Sequence, residues 1–227
     1  MRIYLIRHGM TAGNTRRAYI GSTDEPLCKE GIAAVRASAP KIRAQTGFRS
    51  ADDFLSGGGL LAVSPMKRCI QTAELLFPDA RQQVVTDFRE CDFGVFEGRN
   101  ADEMTGDPDF QRWIDANGET AFPGGEDPTA FKARVCGAFA ALTDSLQAPE
   151  KDAVVESAYE TAYGAESVCT PEQIKTLIIA AHGGTIMAIL ERYAVPHQPF
   201  YRWHVGNAQG YAACWDGAKL TDVRAIG

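Results

Sequence analysis

The sequence predicts an α/β fold, a three-layer α/β/α domain with a mostly parallel central sheet and an antiparallel edge. Short apolar, β-branched runs alternate with longer segments of helical spacing, the pattern of strands joined by crossover helices. Helix start signals fall where that alternation needs them. The tail breaks the alternation, because two strand-like runs flank Asp216-Gly217, a hairpin signal that parallel strands do not use.

The elements follow in order. Buried strands are predicted at 3–6, 60–63, 83–86 and 176–181, each a short run built around apolar or β-branched residues. Helices are predicted at 30–46, with Ile32, Val35 and Ile42 on one face, and at 66–76, with Cys69, Ile70, Ala73 and Leu76. A third spans 128–146, where Phe131, Val135, Phe139 and Leu142 recur every third or fourth residue. Asp127 can cap it and Pro128 suits its first position. A fourth spans 184–193, with Ile186, Ile189 and Leu190. Runs at 210–215 and 219–224 supply the closing hairpin. Two stretches are irregular: 94–125, rich in Gly, Pro and Asp with a short helix near 109–116, and 149–171, polar and acidic. A single domain over 1–227 accommodates all of this.

Composition narrows the partners. The 227 residues are 45% apolar and 23% charged, with net charge −6 and no run of Lys or Arg longer than two. Nucleic acid is therefore not an expected partner. No apolar run approaches the roughly 18 residues of a membrane span, and Arg2 and Arg7 bracket too short a run for a signal peptide. Six cysteines (Cys28, Cys69, Cys91, Cys136, Cys169 and Cys214) include no C-x-x-C pair. That argues against zinc and a short disulfide framework, and for reduced thiols in the cytoplasm. No metal or other cofactor is expected. A homodimer is compatible with the sequence.

Four segments carry chemistry. The run Ile3 to Ile6 ends in Arg7-His8-Gly9. Ligands of open α/β sheets bind beyond the carboxyl ends of the strands, so Arg7 and His8 stand where a substrate would sit. The run TLIIAA ends the same way, in His182-Gly183-Gly184; if these strands are neighbours, the two imidazoles share one pocket. Arg68 lies in the first turn after Ser64-Pro65, where the helix dipole favours an anion and a guanidinium can grip phosphate with two parallel bonds. Glu90 sits among Phe88, Cys91 and Phe93. A partly desolvated carboxyl there would keep a proton to donate, a description that Asp92 and Glu97 also fit. His197 and His204, close to Tyr201 and Trp203, read better as a packing corner than as part of a pocket.

Taken together these blocks resemble the histidine phosphatase superfamily, the phosphoglycerate-mutase-like group. Arg7-His8-Gly9 with Thr11 and Asn14, Gly21-Ser22-Thr23-Asp24, and Ser64-Pro65 with Arg68 and Gln71-Thr72-Ala73 match in order. So do Glu90 with Phe93-Gly94 and Glu97-Gly98, then Pro123-Gly124-Gly125-Glu126, then His182-Gly183-Gly184. The resemblance implies that His8 is the nucleophile that becomes phosphorylated. It implies that Arg7, Arg68 and His182 bind the phosphoryl oxygens with Asn14 assisting. Glu90 would protonate the leaving oxygen and then activate water.

The same core serves hydrolases and mutases. Mutases of the family tend to carry extra bases after the glutamate block to hold a second acidic group. Here Arg99 and Arg112 are the only bases between Glu90 and Gly125, and the FGxxEG and PGGE forms look like the phosphatase branch, including α-ribazole-phosphate phosphatases. The expectation is a metal-independent phosphomonoesterase acting on a small-molecule phosphate ester. Mutase-type transfer is the alternative within the class, and a non-catalytic phosphate-binding regulator the alternative outside it.

Overall fold

The computed structural model describes residues 1–146 and 175–227. The acidic stretch predicted at 149–171 and Cys169 lie outside the described residues. Six strands form one sheet in the order β3-β2-β4-β1-β5-β6. These are β1 (Arg2–Arg7), β2 (Gly59–Val63), β3 (Gln82–Val84), β4 (Thr176–Ala181), β5 (Gly210–Trp215) and β6 (Leu220–Ile226). β1, β2, β3 and β4 are parallel, whereas β5 runs antiparallel to β1 and β6 antiparallel to β5.

Alternation along the central strands builds the layers. Tyr4 and Ile6 of β1, Ile178 and Ala180 of β4 and Leu61 and Val63 of β2 belong to one cluster with Val35, Ile42, Ala73 and Leu76. Those last four come from α2 (Lys29–Thr46) and α4 (Lys67–Leu76). Ile3 and Leu5 and Leu177 and Ile179 face the other way, onto Phe131, Val135, Phe139, Ile186 and Ile189. Those side chains belong to α6 (Pro128–Ser145) and α7 (Gly183–Tyr193). Both faces of β1 and β4 are thus covered, which is why they read as continuous apolar runs rather than alternating ones.

Local chemistry explains most boundaries. Asp127 accepts from the amides of Thr129 and Ala130 to start α6. Asp107 plays the same part for α5 (Pro108–Asp115), accepting from the amide of Asp109. α2 ends at Gly47, whose φ of 78° is left-handed. Two short helices carry no apolar periodicity and are not legible in sequence: α1 (Ala12–Thr15) and α3 (Ala51–Ser56).

Two expectations shift. The strand predicted at 83–86 is Gln82–Val84, and Thr86 already belongs to a 3-10 turn at Thr86–Phe88. β3 pairs only with β2 and leaves Val84 half exposed, so little holds the chain extended further. The hairpin connection is four residues, 216–219, rather than the three left between runs at 210–215 and 219–224. Asp216 Oδ1 accepts from the amides of Ala218 and Lys219, both at 2.8 Å, so the aspartate folds the turn onto its own backbone. Cys28, Cys69, Cys91, Cys136 and Cys214 are free thiols. Among the described residues, no helix is long and apolar enough to cross a membrane.

Candidate active site

Sheet register assembles the site. Arg7 pairs with Ala181 and Val63 with Ala180, so three parallel strands end side by side. The next residue of each is Ser64, His182 or His8. The ladder continues one step further, His8 N donating to Ala181 O at 2.9 Å and Ser64 N to Ala180 O at 3.0 Å. The two imidazoles stand with centroids 5.2 Å apart and planes inclined at 64°.

His8 is 4% exposed and its Nδ1 lies 2.6 Å from the carbonyl oxygen of Gly9. A carbonyl only accepts, so Nδ1 carries the proton and Nε2 keeps its lone pair. Burial holds the His8 pKa well below its ordinary value, with Arg68 and then Arg7 adding to the effect against the Gly9 bond. The ring is therefore neutral near pH 7. Gly9 is fixed from its other side, its N–H donating to Thr72 Oγ1 at 2.9 Å. A Cβ on Gly9 would come 2.5 Å from Val35 Cγ2, so the turn needs glycine.

His182 is fully buried. Arg68 Nε donates to its Nδ1 over 3.3 Å, and its Nε2 meets Ser64 Oγ at 2.7 Å. Because a guanidinium only donates, the proton is on Nε2 and goes to Ser64. Burial, then Arg68, keep this ring neutral too. Both nitrogens of His182 are thus engaged within the protein.

Arg68 is buried completely, which excludes a solvated arginine. Its Nη1 donates to Thr23 O at 2.7 Å and its Nη2 to Gly21 O at 2.9 Å and, at the limit of bonding, to Ile20 O at 3.5 Å. With Nε on His182, one Nη1 hydrogen remains for an anion. The two parallel bonds expected from the sequence reduce to one, because the 20–23 loop and His182 occupy the rest of the fork. Arg7 supplies what Arg68 cannot. Its Nη1 donates to Val205 O at 2.7 Å, while its buried Nε has no partner. A buried donor without an acceptor is costly and here belongs to a cation at a strand end.

Glu90 bridges two elements. Oε2 accepts from Gly184 N in the first turn of α7 and Oε1 from Cys91 N, both at 3.0 Å. Burial raises its pKa, against the lowering effect of those two bonds and of Arg68 and Arg7. The two other carboxylates that the sequence allowed are committed elsewhere. Asp92 Oδ1 takes Gly94 N at 2.9 Å and Ser22 Oγ at 3.3 Å. Glu97 holds three amides and a hydroxyl. Asn14 Oδ1 completes a capping box with Thr11 and accepts from Asn207 Nδ2 at 3.2 Å. The same Asn207 nitrogen reaches His8 O at 3.1 Å, so Asn207 ties Asn14 to the histidine. Nothing in the local sequence distinguishes Asn207; only the return of the chain to β1 brings it there. At the corner expected to pack, His204 is exposed and His197 lies at the surface, and Trp203 is the residue that turns inward.

A cavity of about 370 Å³ opens beside Glu90, lined among others by Ser22, Arg89, Asp92 and Glu126. Glu126 is held by Arg134 through both oxygens, at 2.9 and 2.8 Å.

This is an α/β protein with two histidines at neighbouring strand ends, and two arginines and a buried carboxyl beside them. Residues 3–158 match the histidine phosphatase superfamily (branch 1), and the chain belongs to that family. It is 30% identical over 154 residues to GpmB of Enterobacter sp. (strain 638), named a probable phosphoglycerate mutase; the match spans 66% of this chain and 65%, just under two thirds, of that protein. Two solved structures share the fold across 100% of this chain. They are the alpha-ribazole phosphatase from Shigella flexneri (20% identity, TM-score 0.69, 96% of that chain) and a phosphoglycerate mutase from Thermus thermophilus (24% identity, TM-score 0.62, 100% of that chain).

Proposed function

We propose that this protein is a phosphomonoester hydrolase that works through a phosphohistidine at His8, without a metal, on a small-molecule phosphate ester. The observation that carries the reading is the state of His8: a neutral buried ring with its proton on Nδ1, held by the Gly9 carbonyl. Nε2 attacks phosphorus, the N–P bond forms and the ester P–O bond breaks. Glu90 gives its proton to the departing oxygen. In the second step water attacks phosphorus, its proton passes to Glu90, the N–P bond breaks, and inorganic phosphate leaves with His8 regenerated. The positive charge that this transfer demands around the phosphoryl oxygens comes from Arg7 and Arg68. His182 orients Arg68 and presents Nε2–H once Ser64 yields it, and Asn14 with Asn207 steadies the His8 backbone.

Mutase-type transfer is the competing reading, and the names of the sequence relatives favour it. What supports hydrolysis is the lining beyond Glu90. A leaving group protonated by Glu90 extends into a cavity carrying Asp92 and Glu126; Arg134 is already spent on Glu126 and Arg89 on Asp87, so the wall is a poor host for a second acidic group. Arg99 and Arg112 are engaged with Asp107 and Asp109 of their own segment. The test is a panel of phosphate monoesters assayed in excess chelator, including 3-phosphoglycerate with and without 2,3-bisphosphoglycerate. Hydrolysis should exceed interconversion of 3- and 2-phosphoglycerate. Comparable or faster interconversion transfers the protein to the mutase class.

A further inference from the structure

The geometry points to Glu97 as a positioning residue of the phosphoryl pocket, acting through the 20–23 loop on Arg68. This rests on the proposed role of Arg68 as a phosphoryl ligand. Glu97 Oε1 accepts from Gly21 N and Ser22 N, each at 2.8 Å, and from Phe93 N at 3.3 Å; Oε2 accepts from Thr23 Oγ1 at 2.8 Å. On the opposite side of the same loop, the carbonyls of Ile20, Gly21 and Thr23 accept from Arg68.

The pairing is by peptide group. The amide of Gly21 and the carbonyl of Ile20 form one peptide, and the amide of Ser22 and the carbonyl of Gly21 form the next. Each therefore has a carboxylate at its N–H end and a guanidinium at its C=O end. Charges placed so polarise the peptides in the same sense and strengthen both sets of bonds. A Cβ on Gly21 would run into the carbonyl oxygen of Cys91 and stand 2.7 Å from Glu97 Oε1, so the approach requires glycine. The loop has a further tie to the same wall, Gly98 N donating to Tyr19 O at 2.8 Å. Glu97 thus fixes the carbonyls that aim Arg68, while Arg68 fixes the tautomer of His182. The charge of Glu97 itself stays on the far side of the peptides from the substrate.

The test measures binding of inorganic phosphate by titration calorimetry, well below each variant's melting temperature, so that turnover is not needed. Glu97→Ala should weaken phosphate by roughly 10- to 100-fold, the range for hydrogen bonds that involve a charged group. Glu97→Gln keeps an acceptor for Gly21 and Ser22 and a donor for Thr23, and should recover most of that affinity. In an Arg68→Met background, adding Glu97→Ala should change phosphate affinity by less than about twofold, the signature of two residues acting as one unit. If Arg68→Met does not fold, the Ala and Gln variants of Glu97 decide alone. Wild-type affinity in Glu97→Ala, equal losses in the Ala and Gln variants, or multiplying losses in the double variant would each overturn the assignment. Phosphate binding without hydrolysis would sink the hydrolase reading and leave the clamp standing. A native protein that does not bind phosphate would remove both.

Discussion

Arg68 Nε donates to His182 Nδ1 over 3.3 Å, and this single bond decides where the proton of His182 lies. With the proton on Nε2, Ser64 Oγ at 2.7 Å becomes its acceptor. Replacing Ser64 by alanine leaves the buried Nε2–H only the Cys69 sulfur, 3.4 Å away and a weak acceptor. The expected cost is about 1–3 kcal/mol of stability, read from urea unfolding. Unchanged stability would mean that His182 Nε2 finds another acceptor on its own.

Among the described residues, His8 stands alone as a candidate nucleophile at the strand ends, since Ser64 is taken by His182 and Cys69 is fully buried with its thiol pushed up to about 12. His8→Ala should lose turnover by at least about a thousandfold with its circular dichroism intact. Rapid quench of the native protein with labelled substrate should trap label on a histidine, and the variant should trap none. Activity within tenfold of the native protein would end the nucleophile assignment.

Much of this site was legible because strand ends are legible. Arg7-His8 and His182 each close a short apolar run, and the run itself marks where the residue stands in the sheet. That β1 and β4 are neighbours was not readable, since pairing between strands so distant in sequence depends on which crossover the helices take. The same limit hid Asn207 and the engagement of Ser64 with His182. Their partners are distant in sequence, and a loop asparagine or serine carries no periodicity. Glu97 was legible as a carboxylate near the site but ambiguous in use. Only its four donors on the 21–23 and 93 backbone and hydroxyl positions separate a clamp from an acid. The two parallel bonds expected from Arg68 failed for a related reason: sequence showed the guanidinium, but not the carbonyls competing for it.

The buried imidazoles also set a pH dependence of stability. Burial first, then Arg68, holds His8 and His182 well below the ordinary 6.5. Below 6.5 the unfolded chain takes up protons that the folded protein excludes. Stability is therefore full above that value and declines as pH falls. Glu90 acts oppositely: its raised folded pKa means that stability is lost as pH rises from 4.5 through that value. The melting midpoint should accordingly fall on acidification from about pH 7.5 to about 5.5, and fall less in His8→Gln. An identical acid slope in the two proteins would show that His8 is not held neutral by the fold.

Glu90 is the last residue to separate by experiment, and the leaving group is the lever. Its carboxyl is desolvated yet held by two amides, so it is oriented and keeps a proton above the ordinary range. A proton donor matters most when the departing oxygen is strongly basic. An alkyl or sugar phosphate leaves as an alkoxide, whereas p-nitrophenolate departs readily without a proton. Glu90→Gln keeps the size but removes the transferable proton. The variant should lose on the order of 10²–10⁴-fold with the alkyl ester and distinctly less with p-nitrophenyl phosphate. Amides at Asp92 and Glu97 should show no such dependence, since both carboxylates are spent on backbone donors. Glu90 would also activate water in the second step, so slow breakdown of phospho-His8 would depress both substrates alike. Formation of the phosphoenzyme, followed by burst kinetics, is therefore the rate to compare. Equal loss of that rate for the two leaving groups would remove Glu90 from the acid role and leave it as the link between Cys91 and the start of α7.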